Sequence, residues 1–334
     1  MSLIRDEIIA RDFCCGPLQI TLRAQDADLY AKIGETLGLY DFTWAPPRRP
    51  VNIYARRSNA RTPVSNGDYL RCARMLVDHV PAGLNASTTS GARAAATFTD
   101  LGETWHITVP DSLVEAGKLE ELEDVVSLVL TTGWRRGGWT PIHAAAVLKE
   151  QRCVLVCAPT GGGKTTLTAA LVRRGWQVLG DDKILLRMRD GQPEVAALLH
   201  TFNLHPKSRE WFPEVGDLER LPRYSVWTEK RKVSVVSIWS HAPAQSATPS
   251  VLISLQRSMD YVNALIEPLS QPEVLTTLLK QTVIPSERAT ASGIVSAVAR
   301  TSTHLHGLSV QVPTDAYRDP AFLAALEGAI EQLR

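Results

Sequence analysis

Apolar residues recur at every second position at three places in the first part of the chain. Residues 18–22, 51–54 and 104–109 show this period, which is typical of half-buried strands. Between them, residues 28–39 carry apolar side chains at helical spacing. Together these patterns predict a smaller N-terminal domain of mixed α+β character over residues 1–135.

Segments rich in glycine, proline and small polar residues separate these elements. Residues 45–50 (APPRRP) predict a turn or loop, and residues 81–93 predict a mobile connection. A predicted helix begins with the capping residue Asp111 and ends at Gly133. The sequence WRRGGW, at residues 134–139, predicts a linker to the next domain.

The remaining residues, 136–334, alternate short apolar runs with helical patterns, which predicts an α/β domain. Predicted strands lie at residues 142–148, 153–157, 176–179, 184–188, 195–199, 233–238, 251–255 and 308–312. The first two of these strands are expected to pair through a turn. Predicted helices lie at residues 167–174, 273–280, 286–299 and 320–333, with a helical turn at 205–211.

The composition is that of an ordinary soluble globular protein. Of the 334 residues 44% are hydrophobic and 21% are charged, and 36 Lys and Arg against 35 Asp and Glu give a net charge of +1. This balance argues against a dedicated nucleic-acid binder. The five cysteines are an odd number without metal-ligand spacing, which predicts reduced thiols and a cytoplasmic location. The sequence predicts neither a signal peptide nor a membrane span.

The most informative stretch is APTGGGKTT, at residues 158–166. It lies between a predicted buried strand and a predicted helix, which is the context of a phosphate-binding loop. The N–H groups of such a loop and of the helix start converge on nucleotide phosphates. The stretch has Ala158 where the usual G-x-x-x-x-G-K-[ST] pattern begins with glycine. The predicted ligands of ATP and Mg²⁺ are Thr160, Gly161, Gly162, Gly163, Lys164, Thr165 and Thr166, with Lys164 on the β- and γ-phosphates and the Thr165 hydroxyl on Mg²⁺.

Two adjacent carboxylates, Asp181 and Asp182, follow the next predicted strand. They lie seventeen and eighteen residues after Lys164, at the end of a strand, where ligands of α/β sheets collect. His143 precedes Lys164 by twenty-one residues. A lone histidine is a weak signal, so a core position remains the alternative interpretation of His143.

Over residues 139–240 the histidine, the loop and the run Arg174-Gly175 to Asp181-Asp182 resemble the HPr serine kinase family. This family shares its nucleotide fold with the ATP-dependent phosphoenolpyruvate carboxykinases. The resemblance therefore implies an α/β fold with a P-loop nucleotide-binding domain of the HPr kinase/carboxykinase type over residues 136–334. The loop itself leans toward the carboxykinase version, and the glycine-rich acidic segment that HPr kinases use for phosphorolysis is not found. Diverged members of the family, which act beside peptide-modifying enzymes, fit the N-terminal half better.

The resemblance also implies roles for the site residues. One carboxylate of the pair would help hold Mg²⁺ and the other would accept the proton of an attacking hydroxyl; we expect Asp181 toward the metal and Asp182 as the base, although the order is open. His143 would approach the acidic pair or the γ-phosphate. Further cations at Lys207, Arg209, Lys230, Arg231 and Lys232 are candidates for contacts to phosphoryl oxygens.

These observations predict an ATP- and Mg²⁺-dependent kinase that phosphorylates a hydroxyl, most plausibly a serine of a peptide or small protein. The N-terminal domain would recognise this acceptor, and Arg48, Arg49, Arg56 and Arg57 are candidates for binding an acidic partner. Three alternatives stay open: a small carboxykinase-like decarboxylase, a kinase of a free small molecule, and an ATP-binding regulatory protein without phosphotransfer. The preference between ATP and GTP and the oligomeric state also stay open.

Overall fold

The computed structural model describes residues 8–41, 49–59, 70–72, 75–198, 201–223, 228–239, 244–285 and 287–333, with residues 70–72 described by their backbone alone. The chain divides into two compact units, Met1–Gly138 and Trp139–Arg334. The described residues form a mixed α/β structure with several sheets, which confirms the predicted α/β class at that level.

The first unit is built on one eight-stranded sheet. Its strands are β1 (Ile9–Cys15), β2 (Leu18–Ala24), β3 (Arg49–Ser58), β4 (Leu70–Cys72), β5 (Met75–Val80), β6 (Gly83–Thr88), β7 (Arg93–Phe98) and β8 (Glu103–Pro110). The strand order is β1-β2-β3-β8-β7-β6-β5-β4, and β2, β3 and β8 run parallel to one another. Its helices are α1 (Ala27–Gly38), α2 (Asp111–Glu115) and α3 (Leu122–Arg136).

Helix α1 forms because a capping residue and an apolar stripe coincide. The side chain of Asp26 accepts hydrogen bonds from the backbone N–H groups of residues 28 and 29, which satisfies two donors of the first turn. Leu29, Ile33 and Leu37 recur once per turn and are fully buried. Burial of each such side chain stabilises the unit by about 1.5–3 kcal/mol. The predicted helix at 28–39 and the three predicted strands of this unit are therefore confirmed.

The predicted mobile connection at residues 81–93 is wrong, because most of these residues form β6 and the start of β7. The buried positions of β6 include Leu84 and Ala86, so the strand alternation is present but is carried by small side chains. Gly83 is required at the start of β6, since a Cβ there would overlap the carbonyl oxygen of Ala96 on β7.

The predictions at residues 111–139 also need correction. The single predicted helix is two helices, because Gly117 adopts a left-handed φ of 64° after α2. Residues 134–136 of the predicted linker are the end of α3, where Trp134 is buried and its Nε1 donates to the carbonyl oxygen of Cys15 at 3.0 Å. Within the predicted loop at 45–50, residues 45–48 lie outside the described residues, whereas residues 49 and 50 begin β3.

The second unit contains three sheets and five helices among its described residues. The six-stranded sheet has the order β12-β10-β11-β18-β20-β19, the four-stranded sheet β17-β14-β13-β9 and the two-stranded sheet β15-β16. The strands are β9 (Thr140–Ile142), β10 (Ala145–Lys149), β11 (Arg152–Cys157), β12 (Gln177–Gly180), β13 (Ile184–Arg189), β14 (Gln192–Ala197), β15 (Thr201–Leu204), β16 (Arg231–Ser234), β17 (Ser246–Ala247), β18 (Pro249–Arg257), β19 (Leu265–Leu269) and β20 (His306–Val312). The helices are α4 (Lys164–Arg173), α5 (Val235–Ile238), α6 (Gln271–Lys280), α7 (Arg288–Ser302) and α8 (Pro320–Gln332), and a 3₁₀ helix spans Pro206–Glu210.

The six-stranded sheet is covered on both faces. On β11, Val154 and Val156 face the core that contains α4 and α8, whereas Cys153, Leu155 and Cys157 face the core that contains α6 and α7. Because both faces are buried, the strand is apolar throughout instead of alternating. The predicted strands and helices of this unit occur within three residues of their predicted bounds, apart from two.

The two exceptions are the predicted strands at 142–148 and 233–238. The first is two strands, β9 and β10, which belong to different sheets, with a bend at His143 between them. The second ends at Ser234 and continues as α5, because Val235 and Trp239 lie one helical turn apart and both are buried. The N–H of Trp239 donates to the carbonyl oxygen of Val235 at 2.9 Å.

The structure bears on the expected absence of a membrane span and on the cysteines. Among the described residues no helix is long and apolar enough to cross a membrane. Among the described cysteine side chains, those of residues 14, 15, 153 and 157, none forms a disulfide, and all but Cys14 are buried. The side chain of Cys72 lies outside the described residues.

The carboxylate of Glu327 on α8 accepts hydrogen bonds from three side chains elsewhere in the second unit. Its Oε1 accepts hydrogen bonds from Trp176 Nε1 at 2.8 Å and from Lys149 Nζ at 3.1 Å, and its Oε2 accepts one from Arg174 Nε at 2.7 Å. Burial alone would raise the pKa of Glu327, but the hydrogen bonds from Trp176, Arg174 and Lys149 outweigh it and lower the pKa below its usual range. Arg174, which begins the Arg-Gly to Asp-Asp run of the sequence, therefore has a structural partner.

We expect Glu327→Gln to lower the free energy of unfolding by about 1–3 kcal/mol at neutral pH, since the charge-assisted hydrogen bonds are lost. A depressed carboxyl pKa stabilises the fold above the unfolded-state value, about 4.3 for Glu, and this contribution disappears as the pH falls through the folded-state value. In urea unfolding, the difference in the free energy of unfolding between wild type and variant should therefore be largest at pH 7 and should decrease below a pH of about 4. Glu331→Gln, an exposed position on the same helix, is the matched control. An equal difference at pH 7 and pH 3 would contradict the assigned role.

Candidate active site

The glycine-rich stretch connects the end of β11 to the start of α4. Gly161 and Gly163 adopt left-handed φ angles of 78° and 92°, and Gly163 is the N-cap of α4. The N–H of Gly162 donates to the carbonyl oxygen of Pro159 at 2.9 Å, which closes the turn. The first helical hydrogen bond runs from the N–H of Leu167 to Gly163. The N–H groups of the preceding residues therefore point out of the helix end, where an anion is favoured.

A cavity of about 420 Å³ opens in front of this helix end. One wall is the loop, residues 159–166, which includes all seven residues predicted to bind nucleotide. The other wall is formed by His143, Asp182, Asn203, Leu204, His205, Lys207, Ser208, Trp211, Lys230 and Arg257. Four lining side chains are cationic (Lys164, Lys207, Lys230 and Arg257), whereas Asp182 is the single lining carboxylate among the described residues. This excess of positive charge favours a polyanionic ligand.

Lys164, His143 and Asp182 converge at this cavity. Lys164 Nζ lies 2.7 Å from His143 Nε2 and 3.5 Å from Asp182 Oδ1, and His143 Nε2 lies 2.9 Å from the same Asp182 oxygen. The single nitrogen Nε2 can donate to Asp182 or accept from Lys164, but not both at once. His143 therefore makes one of these two hydrogen bonds at a time.

The backbone explains how neighbouring carboxylates serve different partners. Asp182 adopts a left-handed φ of 68°, and the N–H of Lys183 donates back to the carbonyl oxygen of Asp181 at 2.8 Å. This tight turn directs Asp182 toward His143 and Lys164, while Asp181 Oδ2 accepts a hydrogen bond from Thr165 Oγ1 at 2.8 Å. Strained backbone of this kind is concentrated at functional sites.

The environment of Asp181 suits a divalent cation. The residue is 1% exposed, and its Oδ1 is buried without a hydrogen-bond partner. Burial, with a smaller contribution from the charge of Asp182, raises the pKa of Asp181 to about 6. A buried acceptor oxygen beside the Thr165 hydroxyl matches the oxygen ligands that Mg²⁺ takes in proteins, so the residues present fit this ion. The described residues contain no group of three or more His, Cys, Asp or Glu arranged for a metal, so phosphate oxygens and water would complete such a shell.

The two carboxylates differ strongly in proton affinity. Burial alone would raise the pKa of Asp182, but the hydrogen bond with His143 and the charge of Lys164 outweigh it and lower the pKa below its usual range. Asp182 therefore stays ionised at neutral pH, whereas Asp181 holds its proton more readily. Adjacent groups whose environments separate their pKa values are typical of acid–base sites.

The structure brings all ten predicted site residues into or directly beside one cavity. Of the further predicted cations, Lys207 and Lys230 line the cavity, whereas Arg209 does not. Arg231 Nη1 donates to the backbone of Leu221. Lys232 lies outside the cavity lining. The role assigned to each site residue stays a prediction.

His143 owes its place to the bend that the sequence did not predict. The backbone N–H of His143 donates to the carbonyl oxygen of Gln281, which follows α6, at 2.9 Å. This hydrogen bond fixes the chain between β9 and β10, and the imidazole reaches Lys164 and Asp182 from there. In a continuous strand over residues 140–149, the His143 side chain would instead lie on one face of a sheet.

Two residues near the loop were missed by sequence reasoning. Arg257 Nη2 donates to the carbonyl oxygen of Gly161 at 3.2 Å, from the end of the strand that runs parallel to β11. Its position at the carboxyl end of a strand was the available signal. Tyr317 is buried, its hydroxyl has no partner, and a Cβ at Gly163 would overlap that hydroxyl. No local pattern pointed to Tyr317.

We expect Gly163→Ala to destabilise the fold more than Gly161→Ala. Both changes force alanine into a left-handed conformation, at a cost of about 1–2 kcal/mol. A Cβ at Gly163 would also overlap the Tyr317 hydroxyl, and such overpacking costs about 1–3 kcal/mol more. A Cβ at Gly161 would meet nothing within 4 Å. In Gly163→Ala/Tyr317→Phe the overlapping oxygen is removed and the nearest ring atom lies at 3.2 Å, so part of the loss should be recovered. Equal urea-unfolding losses for the two single glycine variants would show that Tyr317 does not constrain the loop.

Comparison of the chain with known proteins yields similarity to solved structures only. Neither a protein-family model nor a curated protein sequence matches the chain. Among solved structures, the HPr(Ser) kinase/phosphatase from Coxiella burnetii is similar over 57% of this chain and 97% of its own, with 14% identity and a TM-score of 0.32. Similarity at this level indicates a related fold at most, so the chemistry has to be inferred from the residues of the cavity.

Proposed function

We propose that the second unit is an ATP- and Mg²⁺-dependent phosphotransferase whose loop, residues 158–166, is a P-loop. It transfers the γ-phosphoryl group to a hydroxyl, most plausibly a serine of a peptide or small protein. The observation that carries the proposal is the convergence of Lys164, His143 and Asp182 within 3.5 Å in front of the glycine-bounded end of α4. A cation for phosphate and an ionised carboxylate for a hydroxyl proton lie in one cavity.

The phosphate-binding half consists of the loop and the cations that surround it. Backbone N–H groups at the start of α4 bind the β-phosphate, and Lys164 exchanges its contact with Asp182 for phosphate oxygens. Arg257 fixes the loop through Gly161, while Lys207 and Lys230 lie at the cavity for the transferred group. Phosphoryl transfer is catalysed mainly by positioning and charge, and these residues supply both.

The Thr165 hydroxyl and Asp181 would hold Mg²⁺. When bound, Mg²⁺ neutralises charge on the β- and γ-phosphate oxygens. The orphaned Oδ1 of Asp181 supports this assignment, since it otherwise has no partner. The hydrogen bond from Thr165 keeps Asp181 turned away from the acceptor hydroxyl.

Asp182 is the proposed proton acceptor. Its side chain is 33% exposed and lines the cavity, so an acceptor hydroxyl can reach it, whereas Asp181 is enclosed. His143 is a positioning residue that holds the Asp182 carboxylate through Nε2. Once Lys164 contacts phosphate, the positive charge beside Asp182 weakens and the carboxylate becomes more basic.

A peptide or small protein is proposed as the acceptor because the motif set resembles the HPr serine kinase family and the N-terminal half fits diverged members associated with peptide modification. A free amino acid or sugar would use the same donor half, so acceptor screening has to include both classes. Regulatory binding of ATP without transfer is the second candidate function, and the contacts among Lys164, His143 and Asp182 would then only respond to bound phosphate.

We expect Asp182→Asn to lower the rate of phosphoryl transfer by about 10²–10⁴-fold, because the proton acceptor is removed. Affinity for ATP should be unchanged or higher, because Lys164 loses a competing anion. The measurement uses γ-³²P-ATP, Mg²⁺ and an acceptor panel of peptides, small proteins and free serine, with ATP affinity determined in parallel.

Asp190→Asn is the matched control for this experiment. Asp190 also has a left-handed φ, of 51°, and its side chain is 93% exposed on a turn. Its transfer rate should equal that of the wild type. Full activity of Asp182→Asn would refute the proton-acceptor role, whereas ATP binding by the wild type without any labelled product would favour the regulatory function.

A further inference from the structure

The eight-stranded sheet of the first unit has one face that the described helices of this unit leave uncovered. Alternate residues of β2, such as Leu18, Ile20 and Leu22, are buried on the helix side. The residues between them point to the opposite side, and the register of β2, β3, β8 and β7 places nine of these side chains in three rows. The rows are Thr21, Asn52 and Thr104; Arg23, Tyr54 and His106; and Arg56, Thr108 and Arg93. We call these nine residues the outer face.

An aromatic pair forms the middle of the outer face. The rings of Tyr54 and His106 are stacked, with centroids 5.3 Å apart and an interplanar angle of 19°. The guanidinium of Arg23 lies 5.4 Å from the centroid of Tyr54, and its Nη1 donates to Asn52 Oδ1 at 3.1 Å. Tyr54 is 39% exposed. These contacts hold flat, amphipathic side chains in place at the surface, so little side-chain entropy is lost when a ligand packs on them.

Arg23 and Arg56 supply positive charge to the outer face. Among the described residues, no carboxylate pairs with Arg23 or Arg56, whereas Arg57 pairs with Asp26 and Arg49 with Glu103. None of the nine side chains is acidic. At the edge, Asp12 on β1 accepts a hydrogen bond from Thr21 Oγ1 at 2.7 Å. Exposed arginines beside an aromatic pair are complementary to carboxylates that flank an apolar or aromatic side chain.

We propose that the outer face binds an acidic peptide segment of the phosphoryl acceptor, with an aromatic or apolar side chain packed on Tyr54 and His106 and carboxylates on Arg23 and Arg56. This inference rests on the proposed function, since the peptide is taken to be the substrate. A polypeptide is favoured over nucleic acid because the whole chain has a net charge of only +1. Nucleic-acid affinity depends on many phosphate contacts, which three arginines do not supply.

The test measures binding without nucleotide and without phosphotransfer. A fluorescein-labelled random copolymer of Glu and Tyr is titrated with the full chain, and fluorescence anisotropy is recorded. We expect Arg23→Gln/Arg56→Gln to bind at least tenfold more weakly than the wild type, and a Lys–Tyr copolymer of the same length not to bind. Arg189→Gln/Arg220→Gln removes the same charge from exposed arginines of the second unit and should bind as the wild type does.

Three outcomes would overturn the proposal. The first is equal affinity of wild type and Arg23→Gln/Arg56→Gln for the Glu–Tyr copolymer. The second is an equal loss in the control double variant, which would indicate a general charge effect. The third is tighter binding of a labelled oligothymidylate, lost in Arg23→Gln/Arg56→Gln, which would assign the face to nucleic acid. Copolymer binding by a chain that transfers no phosphate would instead contradict the proposed function and leave the outer face assigned.

Discussion

The site depends on the ammonium group of Lys164, which is buried by the fold and therefore needs a partner of opposite charge. The side chain of Lys164 is only 8% exposed, and an ammonium group in such a position is stable only beside an opposite charge or strong acceptors. Asp182 and His143 provide them. A phosphate group can replace these partners without leaving the ammonium group unpaired, so the interaction that orders the loop also prepares it for an anionic ligand.

The six-stranded sheet makes this pairing possible. Strand β11 leads into the loop, the turn after β12 carries the carboxylates, and the bend before β10 carries the histidine. Because cores cover both faces of the sheet, the ends of these strands are fixed relative to one another. Because of the left-handed turn at Asp182, the two consecutive carboxylates have different surroundings. Asp181 is enclosed beside Thr165, whereas Asp182 faces the cavity.

The glycine loop and the acidic pair could be predicted from the sequence because each belongs to a short pattern with a known physical reason, whereas His143, a lone histidine, became a candidate through the family resemblance. Arg257 was missed because it lies ninety-three residues after Lys164 and only the parallel pairing of β11 and β18 brings it to the loop. The bend at His143 was hidden within one continuous apolar run. Strand β6 was missed because alanine, serine and threonine carry little hydrophobic contrast, so its alternation is visible only in the burial of the folded chain.

The most direct test of nucleotide binding is isothermal titration of a non-hydrolysable ATP analogue into the full chain, with and without Mg²⁺, beside Lys164→Met. Methionine fills the space of the lysine stem without its charge, so the fold should persist and can be checked by thermal unfolding. We predict one site per chain, tighter binding with Mg²⁺, and at least a tenfold loss of affinity in Lys164→Met. Absence of binding by the wild type at millimolar analogue, or equal affinity of the variant, would contradict the assignment of this cavity to a nucleoside triphosphate.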